Sequence, residues 1–192
     1  MKRIAIIGAG ISGLFIANLF KKNLDYQITI YEKNNSINHE EGYGIQLSVN
    51  SIKILNEIGF NKLEDKDKFN PEKIDFFSIN KKKICELNIS DFNSKDCKYT
   101  TLKRSILINF LKKDLEDVIK TGYNISKIDQ QNKQIKLTFQ NNEIIECDYL
   151  IISDGVFSKS KNLILNNRVD LKYHNCLAIR GTISKTLNKI NN

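Results

Sequence analysis

Residues 4–13 read Ile-Ala-Ile-Ile-Gly-Ala-Gly-Ile-Ser-Gly, an apolar run that leads directly into three spaced glycines. The pattern predicts a β-strand, a tight turn and the start of an α-helix. Gly8 allows the tight turn, Gly10 lets a diphosphate approach the backbone, and Gly13 lets the helix pack closely on the strand. The unpaired N–H groups and positive dipole at the start of such a helix favour a bound phosphate.

The residues that follow complete this unit. A helical pattern continues through Leu14 and Ala17, and a second apolar strand, residues 27–31, ends on Glu32. Glu32 lies 19 positions after Gly13, close to the roughly 20-residue spacing at which an acidic side chain reaches a ribose hydroxyl. Strand, glycine turn, helix, strand and acid occur in the required order, so the sequence predicts dinucleotide binding.

The same segment raises the alternative of a membrane span or a signal peptide. Residues 4–20 are uncharged and lie between Lys2-Arg3 and Lys21-Lys22. A span needs about 20 predominantly apolar residues, and three glycines and Asn18 dilute this run. No small-residue cleavage site follows it, so we expect neither a membrane span nor a signal peptide.

Composition limits the other function classes. The 192 residues suit one domain or slightly more, and the net charge of +8 comes from 26 Lys and only 4 Arg, which are scattered. Nucleic-acid readers favour clustered basic residues with aromatic platforms, so we expect no nucleic-acid partner. The cluster Lys81-Lys82-Lys83 is typical of a solvated hairpin tip.

Four cysteines, at positions 85, 97, 147 and 176, are far apart, and only His39 and His174 could assist them in binding a metal. This spacing indicates neither a zinc site nor a disulfide framework. We therefore expect no metal, and free, mostly buried thiols in a reducing cytoplasm.

The middle of the chain predicts alternating elements. After a polar loop over residues 33–41, Gly42 and Gly44 indicate sharply bent backbone, and a helix begins near residues 48–50 and stops at Gly59. Residues 74–79 and 84–87 predict a hairpin. A long amphipathic helix is predicted to open at residues 102–105 and to stop at Gly122.

The last part of the chain predicts more strands. Residues 124–128 and 135–139 alternate as strands around a turn at 129–132, and a further strand holds Ile144 and Ile145. Residues 148–152 form a near-continuous apolar run, as expected for a central parallel strand, which ends in Asp154-Gly155. An acid and a flexible turn at the carboxyl edge of such a sheet lie where open α/β sheets bind ligands.

Several of these motifs together resemble one family. The glycine fingerprint, Glu32, the run Gly-Tyr-Gly-Ile-Gln-Leu-Ser-Val-Asn at 42–50 and the Asp154-Gly155 pair are similar to the N-terminal half of the FAD-dependent aromatic hydroxylases. These are the single-component flavin monooxygenases typified by salicylate and p-hydroxybenzoate hydroxylases. The chain departs from the family pattern at three positions: Val49 replaces the Pro that is usual in the salicylate-type members, Ser153 the usual Ala and Lys161 the usual Arg.

The resemblance implies an α/β fold, a Rossmann-like, three-layer FAD/NAD(P)-binding domain that is incomplete and is joined by the beginning of a β-rich substrate domain. The implied FAD-binding parts are residues 1–72 and 99–170, with a substrate-domain hairpin at 73–98 and a truncated substrate-domain return at 171–192, including a strand at 177–182. The implied cofactor-binding residues are Gly8, Gly10, Ile11, Ser12, Gly13, Glu32, Lys33, Gly44, Arg104, Ile125, Asp154 and Gly155. Arg104 on spacing alone is equally compatible with a solvated position.

The resemblance further implies FAD as cofactor, NADPH or NADH as reductant and a small aromatic substrate that is hydroxylated. The family's third signature, Gly-Asp-Ala, has no counterpart, because none of the nine glycines is followed by Asp. We therefore expect either one half of a flavin monooxygenase, completed by a C-terminal half, or a truncated remnant that binds FAD or ADP without catalysis. A third alternative is an NAD-dependent Rossmann oxidoreductase. The sequence identifies no catalytic residue.

Overall fold

The structure is a computed structural model that describes residues 1–37, 43–131, 134–165 and 171–179. Its strands are β1 (Lys2–Ile7), β2 (Tyr26–Glu32), β3 (Gly44–Leu47), β4 (Lys73–Phe77), β5 (Lys83–Asn88), β6 (Thr100–Lys103), β7 (Ile119–Thr121), β8 (Ile125–Gln131), β9 (Gln134–Phe139), β10 (Ile144–Cys147) and β11 (Tyr149–Ile152). Its helices are α1 (Ile11–Lys21), α2 (Val49–Asn56), α3 (Arg104–Lys112) and α4 (Ser160–Leu165).

A parallel sheet of four described strands organises the molecule, in the order β11-β1-β2-β7. The register aligns Ile7 of β1 with Tyr31 of β2 on one side and with Ile152 of β11 on the other. At the far edge, Glu32 of β2 pairs with Thr121 of β7. Because all four strands are parallel, their carboxyl ends meet at one edge of the sheet.

The parallel sheet separates two hydrophobic cores. Side chains of successive strand residues point to opposite faces, and accordingly Ile4 and Ile6 of β1 belong to one core while Ala5 and Ile7 belong to the other. Buried residues of α1 and α3 fill the first core, and buried residues of the antiparallel sheet β10-β9-β8 fill the second. The described chain therefore has three layers, as the sequence predicts.

One polar side chain ties the two helices of the first layer together. The Asn18 amide nitrogen donates to the carbonyl of Leu14 in its own helix at 2.9 Å and to the carbonyl of Leu111 in α3 at 2.7 Å. Buried backbone carbonyls at a helix end need such partners. Asn18 thus fixes α1 against α3.

Two smaller antiparallel pairs are not hydrogen-bonded to either of the larger sheets. Strands β3 and β6 pair with each other, and β4 and β5 form the predicted hairpin. Of the three lysines predicted at the hairpin tip, Lys81 and Lys82 lie in the turn, where the Ser78 carbonyl accepts a hydrogen bond from the Lys81 amide and Lys81 has φ +60°, whereas Lys83 begins β5. Residues of β5 are exposed throughout.

The prediction of one long helix from residue 102 to Gly122 is wrong about the length of that helix. Leu102 belongs to β6, α3 ends at Lys112, and a short 3₁₀ turn at Glu116–Val118 leads into β7. The apolar residues after Lys112 follow a helical period, but Ile119 pairs with Ile30 of β2. Tertiary pairing at the sheet edge therefore overrides the local pattern.

Other expectations also need correction. β11 is the edge strand of the described sheet and not a central one, and residues 129–131 continue β8 instead of forming a turn. Of the strand predicted at 177–182, residues 177–179 are in no strand and the rest lie outside the described residues, as does Gly42. All four cysteines are free, but Cys85 and Cys176 are exposed and only Cys147 is buried.

No helix within the described ranges is both long and apolar enough to cross a membrane.

Candidate functional site

A cleft lies at the carboxyl edge of the parallel sheet, where the four strands end. Its volume is about 240 Å³. It is lined by residues from the end of each strand or the turn after it: Ile7, Gly8, Gly10, Tyr31, Glu32, Lys33, Asn34, Tyr123, Asn124, Ile125, Ser153, Asp154, Gly155, Phe157 and Lys159. Open α/β sheets bind ligands at this edge, next to the strand where the chain order reverses, which here is β1.

The glycine turn after β1 is closely packed at two of its three glycines. Gly8 has φ +101°, and a Cβ on it would lie 2.5 Å from the carbonyl oxygen of Ser153. A Cβ on Gly13 would lie 2.0 Å from the carbonyl oxygen of Gly8. Both contacts are with backbone, which cannot move aside easily, so these two glycines are required by the fold itself.

Gly10 differs from Gly8 and Gly13. A Cβ on Gly10 would meet no heavy atom of the described structure within 4 Å, and its φ of −78° is accessible to any residue. The fold therefore does not require glycine here. Gly10 instead lines the cleft, so its missing side chain leaves open a path from the cleft to the backbone.

The start of α1 presents backbone donors beside Gly10. The first helical hydrogen bond runs from Leu14 N–H to the Gly10 carbonyl at 3.0 Å, so the amides of Ile11, Ser12 and Gly13 precede the hydrogen-bonded ladder. No side chain of the described residues caps this end, and no acidic residue occupies the first turn. The arrangement suits a phosphate group, whose oxygens can accept hydrogen bonds from these amides and whose negative charge is stabilised by the helix dipole.

Glu32 joins the glycine turn to the end of β2. One of its carboxylate oxygens accepts a hydrogen bond from the Ala9 amide at 2.9 Å, and the other accepts one from the Asn34 amide at 3.0 Å. A carboxylate oxygen has two lone pairs, so each can accept one more hydrogen bond from a ligand. Glu32 is therefore held rigidly at the cleft wall, next to the open side of the glycine turn.

The Ser153-Asp154-Gly155 turn forms the opposite wall. Ser153 N–H donates to the Ile7 carbonyl at 2.8 Å, and the Ser160 amide donates to the Asp154 carboxylate at 3.1 Å. Burial by itself would raise the pKa of Asp154, but polar contacts with Ser158 and Ser160 hold it below its ordinary value. The other Asp154 oxygen, Oδ1, is buried and has no partner among the described residues, which leaves an acceptor for a hydrogen-bond donor outside the described structure.

A second pocket of about 570 Å³ shares this turn as a wall. Ser12 of α1 lies on it together with Lys161 of α4, and apolar side chains at Ile152, Ile164 and Leu165 complete its lining. Asp154 and Gly155 thus face both pockets.

The structure brings together seven of the twelve residues predicted from the sequence in the first cleft: Gly8, Gly10, Glu32, Lys33, Ile125, Asp154 and Gly155. Ile11, Ser12 and Gly13 form the adjoining start of α1. Gly44 and Arg104 lie in a separate place, where β3 pairs with β6 and the Arg104 amide donates to the Tyr43 carbonyl at 3.1 Å. Neither of these two lines the cleft.

Sequence reasoning missed several cleft residues, above all Tyr31, Asn34, Tyr123 and Asn124. Tyr31 and Asn34 flank Glu32 and Lys33, so their position next to a predicted site was an available signal. Tyr123 and Asn124 follow β7, which the sequence does not reveal as a strand. Their place in the cleft depends on the pairing of β7 with β2.

The described residues contain no group of three or more His, Cys, Asp or Glu side chains placed to hold a metal ion.

Comparison with known proteins supports the Rossmann reading of the first segment. Residues 6–39 match the family model of the NAD(P)-binding Rossmann-like domain. A search of the curated proteins by sequence finds no match.

Solved structures share the fold over most of the chain. A putative FAD-containing monooxygenase from Photorhabdus luminescens has a TM-score of 0.71 at 23% identity, over 86% of this chain and 43% of that one. An HpxO variant from Klebsiella pneumoniae, complexed with FAD, has a TM-score of 0.70 at 16% identity over 81% and 40%. The 2,6-dihydroxypyridine-3-hydroxylase from Arthrobacter nicotinovorans has a TM-score of 0.70 at 17% identity over 86% and 40%.

The chain therefore spans about two fifths of the length of these structures. Its residues 6–39 are similar to the NAD(P)-binding Rossmann-like domain, and most of the chain has the fold of the corresponding part of FAD-containing monooxygenases.

Proposed function

We propose that this chain is the FAD-binding portion of an NAD(P)H-dependent flavin monooxygenase that hydroxylates a small aromatic molecule. The observation that carries the proposal is the difference among the three glycines. A Cβ added to Gly8 or Gly13 would lie 2.5 or 2.0 Å from a backbone carbonyl oxygen, whereas a Cβ on Gly10 would face open space in the cleft. Glycine at position 10 is best explained by a ligand that approaches the backbone there.

In this proposal, different residues of the cleft bind different groups of the nucleotide. The amides of Ile11, Ser12 and Gly13 would hold the diphosphate, and the Glu32 carboxylate would accept the ribose hydroxyls. The rigid fit of Glu32 against Ala9 supports this assignment, because it keeps the sugar acceptor at a fixed distance from the phosphate donors. Lys33 and Ile125 also line the cleft.

The remaining assigned residues contact other parts of the cofactor in this proposal. Asp154 and Gly155 line the cleft on the opposite wall from Glu32, and we propose that they lie beside the diphosphate. Gly44 and Arg104 lie outside the cleft, and we propose that they reach the flavin-side portion of FAD from the β3–β6 pair.

FAD, once reduced by NADPH or NADH, would supply the oxygen chemistry of the hydroxylation. The side chains of this chain bind and orient the cofactor's nucleotide part. We assign none of them to proton transfer, and the catalytic residues are not among those identified.

We further propose that a C-terminal half completes the protein. The edge strand β11 supports this, because parallel sheets are normally covered at both faces and edges, yet Tyr149 is 52% exposed and the other β11 residues are half-buried. The hairpin β4–β5 would begin a substrate domain at residues 73–98. Its apolar face carries the exposed side chains of Phe76 and Leu87, which a larger sheet would cover.

The four free cysteines support a reducing compartment, and we propose the cytoplasm.

Two alternatives rest on particular observations. The family model matches only residues 6–39, which by itself supports a module that binds FAD or ADP without catalysis. The same match also supports an NAD-dependent oxidoreductase, because Glu32 could bind the ribose of NAD as well as that of FAD. This alternative has weaker support, since the solved structures that share the fold include FAD-containing monooxygenases.

The test is to purify the chain and measure its binding of FAD, ADP and NAD by calorimetry, with the absorbance of any retained flavin. The proposal predicts binding of FAD and ADP, with NAD weaker, and reduction of bound flavin by NADPH or NADH when a complementing half is present. Binding of ADP without retained flavin favours the non-catalytic module. Preferential binding of NAD refutes the flavin assignment.

A further inference from the structure

The turn after β11 packs directly against the glycine turn after β1. A Cβ on Gly8 would lie 2.5 Å from the Ser153 carbonyl oxygen and 3.0 Å from the Asp154 Cα. The Asp154 carboxylate accepts a hydrogen bond at 3.1 Å from the amide of Ser160, the first residue of α4. The start of α4 is therefore held near the glycine turn, and with it Lys159, the residue that immediately precedes this helix.

Lysine is an unfavourable residue at position 159. The Lys159 carbonyl accepts the first hydrogen bonds of α4, from the amides of Asn162 at 3.1 Å and Leu163 at 3.3 Å. Ser, Thr, Asp and Asn are the residues that stabilise a helix at this position, and a positive charge there opposes the helix dipole. The local structure of α4 therefore gives no reason for a lysine.

The Lys159 side chain is also without an ionic partner in the part of the chain that the structure describes. None of the ion pairs between described residues includes it. The residue is exposed and lines the first cleft, as Gly10 does. A long, flexible lysine side chain at this place can reach an anion bound in the cleft.

The charges of the cleft lining create a need for such a cation. The acidic residues of the lining are Glu32 and Asp154, and its basic residues are Lys33 and Lys159. Burial raises the pKa of Asp154, but polar contacts with two serines lower it by more, so this carboxylate stays ionised at neutral pH. A diphosphate is itself negative, and like charges placed together disfavour binding. A lysine beside the Asp154 turn offsets that repulsion.

We infer that Lys159 is a binding residue whose ammonium contacts the diphosphate in the cleft, in addition to the amides at the start of α1. The inference rests on the proposed function and adds a residue to it. The competing explanation is that Lys159 is a solvated surface lysine with no part in binding.

The experiment uses two probes, ADP and inorganic pyrophosphate, whose binding to the purified wild-type and variant chains is measured by calorimetry at low and at high salt. Lys159→Gln removes the charge and keeps a long polar side chain. We expect it to bind both probes about 5- to 10-fold more weakly at low salt, the size expected for an exposed charged contact. The difference from the wild type should shrink at high salt, because salt screens exposed charges. Lys159→Arg keeps the charge and should keep most of the affinity.

Lys161→Gln is the matched control. It removes the same charge from the first turn of α4, but Lys161 lines the second pocket and not the first. It should reduce the affinity for both probes much less than Lys159→Gln does. Urea unfolding without ligand should show that both variants are at least as stable as the wild type, because each loses a charge that opposes the helix dipole.

Two results overturn the inference. Unchanged binding of ADP and pyrophosphate in Lys159→Gln would mean that Lys159 is only a solvated surface residue. Equal losses in Lys159→Gln and Lys161→Gln would mean that the two lysines act through their general positive field and that Lys159 makes no contact. A wild-type chain that binds neither probe instead refutes the proposed function, and the inference with it.

Discussion

Replacing Gly10 with valine separates the binding role of the glycine turn from its structural role. The backbone at Gly10 has φ −78° and ψ −176°, which a β-branched residue adopts readily. A Cβ there meets no heavy atom of the described structure within 4 Å. The variant should therefore fold, with a loss of about 1 kcal/mol because valine is a poor residue at the start of a helix.

The expected effect on binding is much larger. The valine side chain would fill the space between the cleft and the amides of Ile11 and Ser12. A hydrogen bond to a charged group contributes about 1.5 to 3 kcal/mol. The loss of two such bonds corresponds to about 3 to 6 kcal/mol, or roughly a 10²- to 10⁴-fold weaker affinity for ADP.

Calorimetry with ADP measures the affinity, and urea unfolding measures the stability. Gly59→Ala is the matched control, because Gly59 has φ +93° at the end of α2 and lies outside the cleft. It should lose about 1 kcal/mol of stability and keep its affinity for ADP. A folded Gly10→Val chain that binds ADP as tightly as the wild type would refute the placement of the diphosphate.

Three other predictions concern the same edge of the sheet. Gly13→Ala places a Cβ 2.0 Å from the Gly8 carbonyl oxygen, so urea unfolding should show a loss on the order of 2 to 4 kcal/mol; an unchanged stability would show that α1 packs differently. Glu32→Ala should weaken ADP binding by about 1 to 3 kcal/mol, whereas the exposed Glu64→Ala should not, and equal affinities would place the ribose elsewhere. Burial raises the pKa of Tyr31 to about 12, so the folded state favours the neutral phenol and loses about 2 to 3 kcal/mol of stability as pH rises from about 10 to 12. Tyr31→Phe should remove that part of the pH dependence, which unfolding curves of both chains over this range would reveal.

The sequence predicts the nucleotide-binding unit well because its signals are local. Gly8, Gly13 and Glu32 belong to one strand–helix–strand segment, and the close contact between Gly13 and Gly8 is made within five residues of chain. The Asp154-Gly155 turn is also visible in the sequence, since it directly follows an apolar strand. These features need no knowledge of distant contacts.

The features that the sequence does not reveal depend on contacts between distant segments. Strand β7 has only three residues, and its apolar pattern continues that of α3, so only the pairing of Ile119 with Ile30 of β2 distinguishes it from helix. Tyr123 reaches the cleft through that same pairing, and its hydroxyl meets Glu143 twenty positions later. The edge position of β11 likewise follows from the order of the whole sheet.

The measurement that tests the central claim most directly is a titration of the ¹⁵N-labelled chain with ADP, followed by the backbone amide resonances of Ile11, Ser12 and Gly13. If the first turn of α1 holds the diphosphate, these resonances shift on addition of ADP and of inorganic pyrophosphate, and adenosine shifts them far less. Amides that stay in place while ADP binds would show that the diphosphate lies elsewhere and would contradict the account.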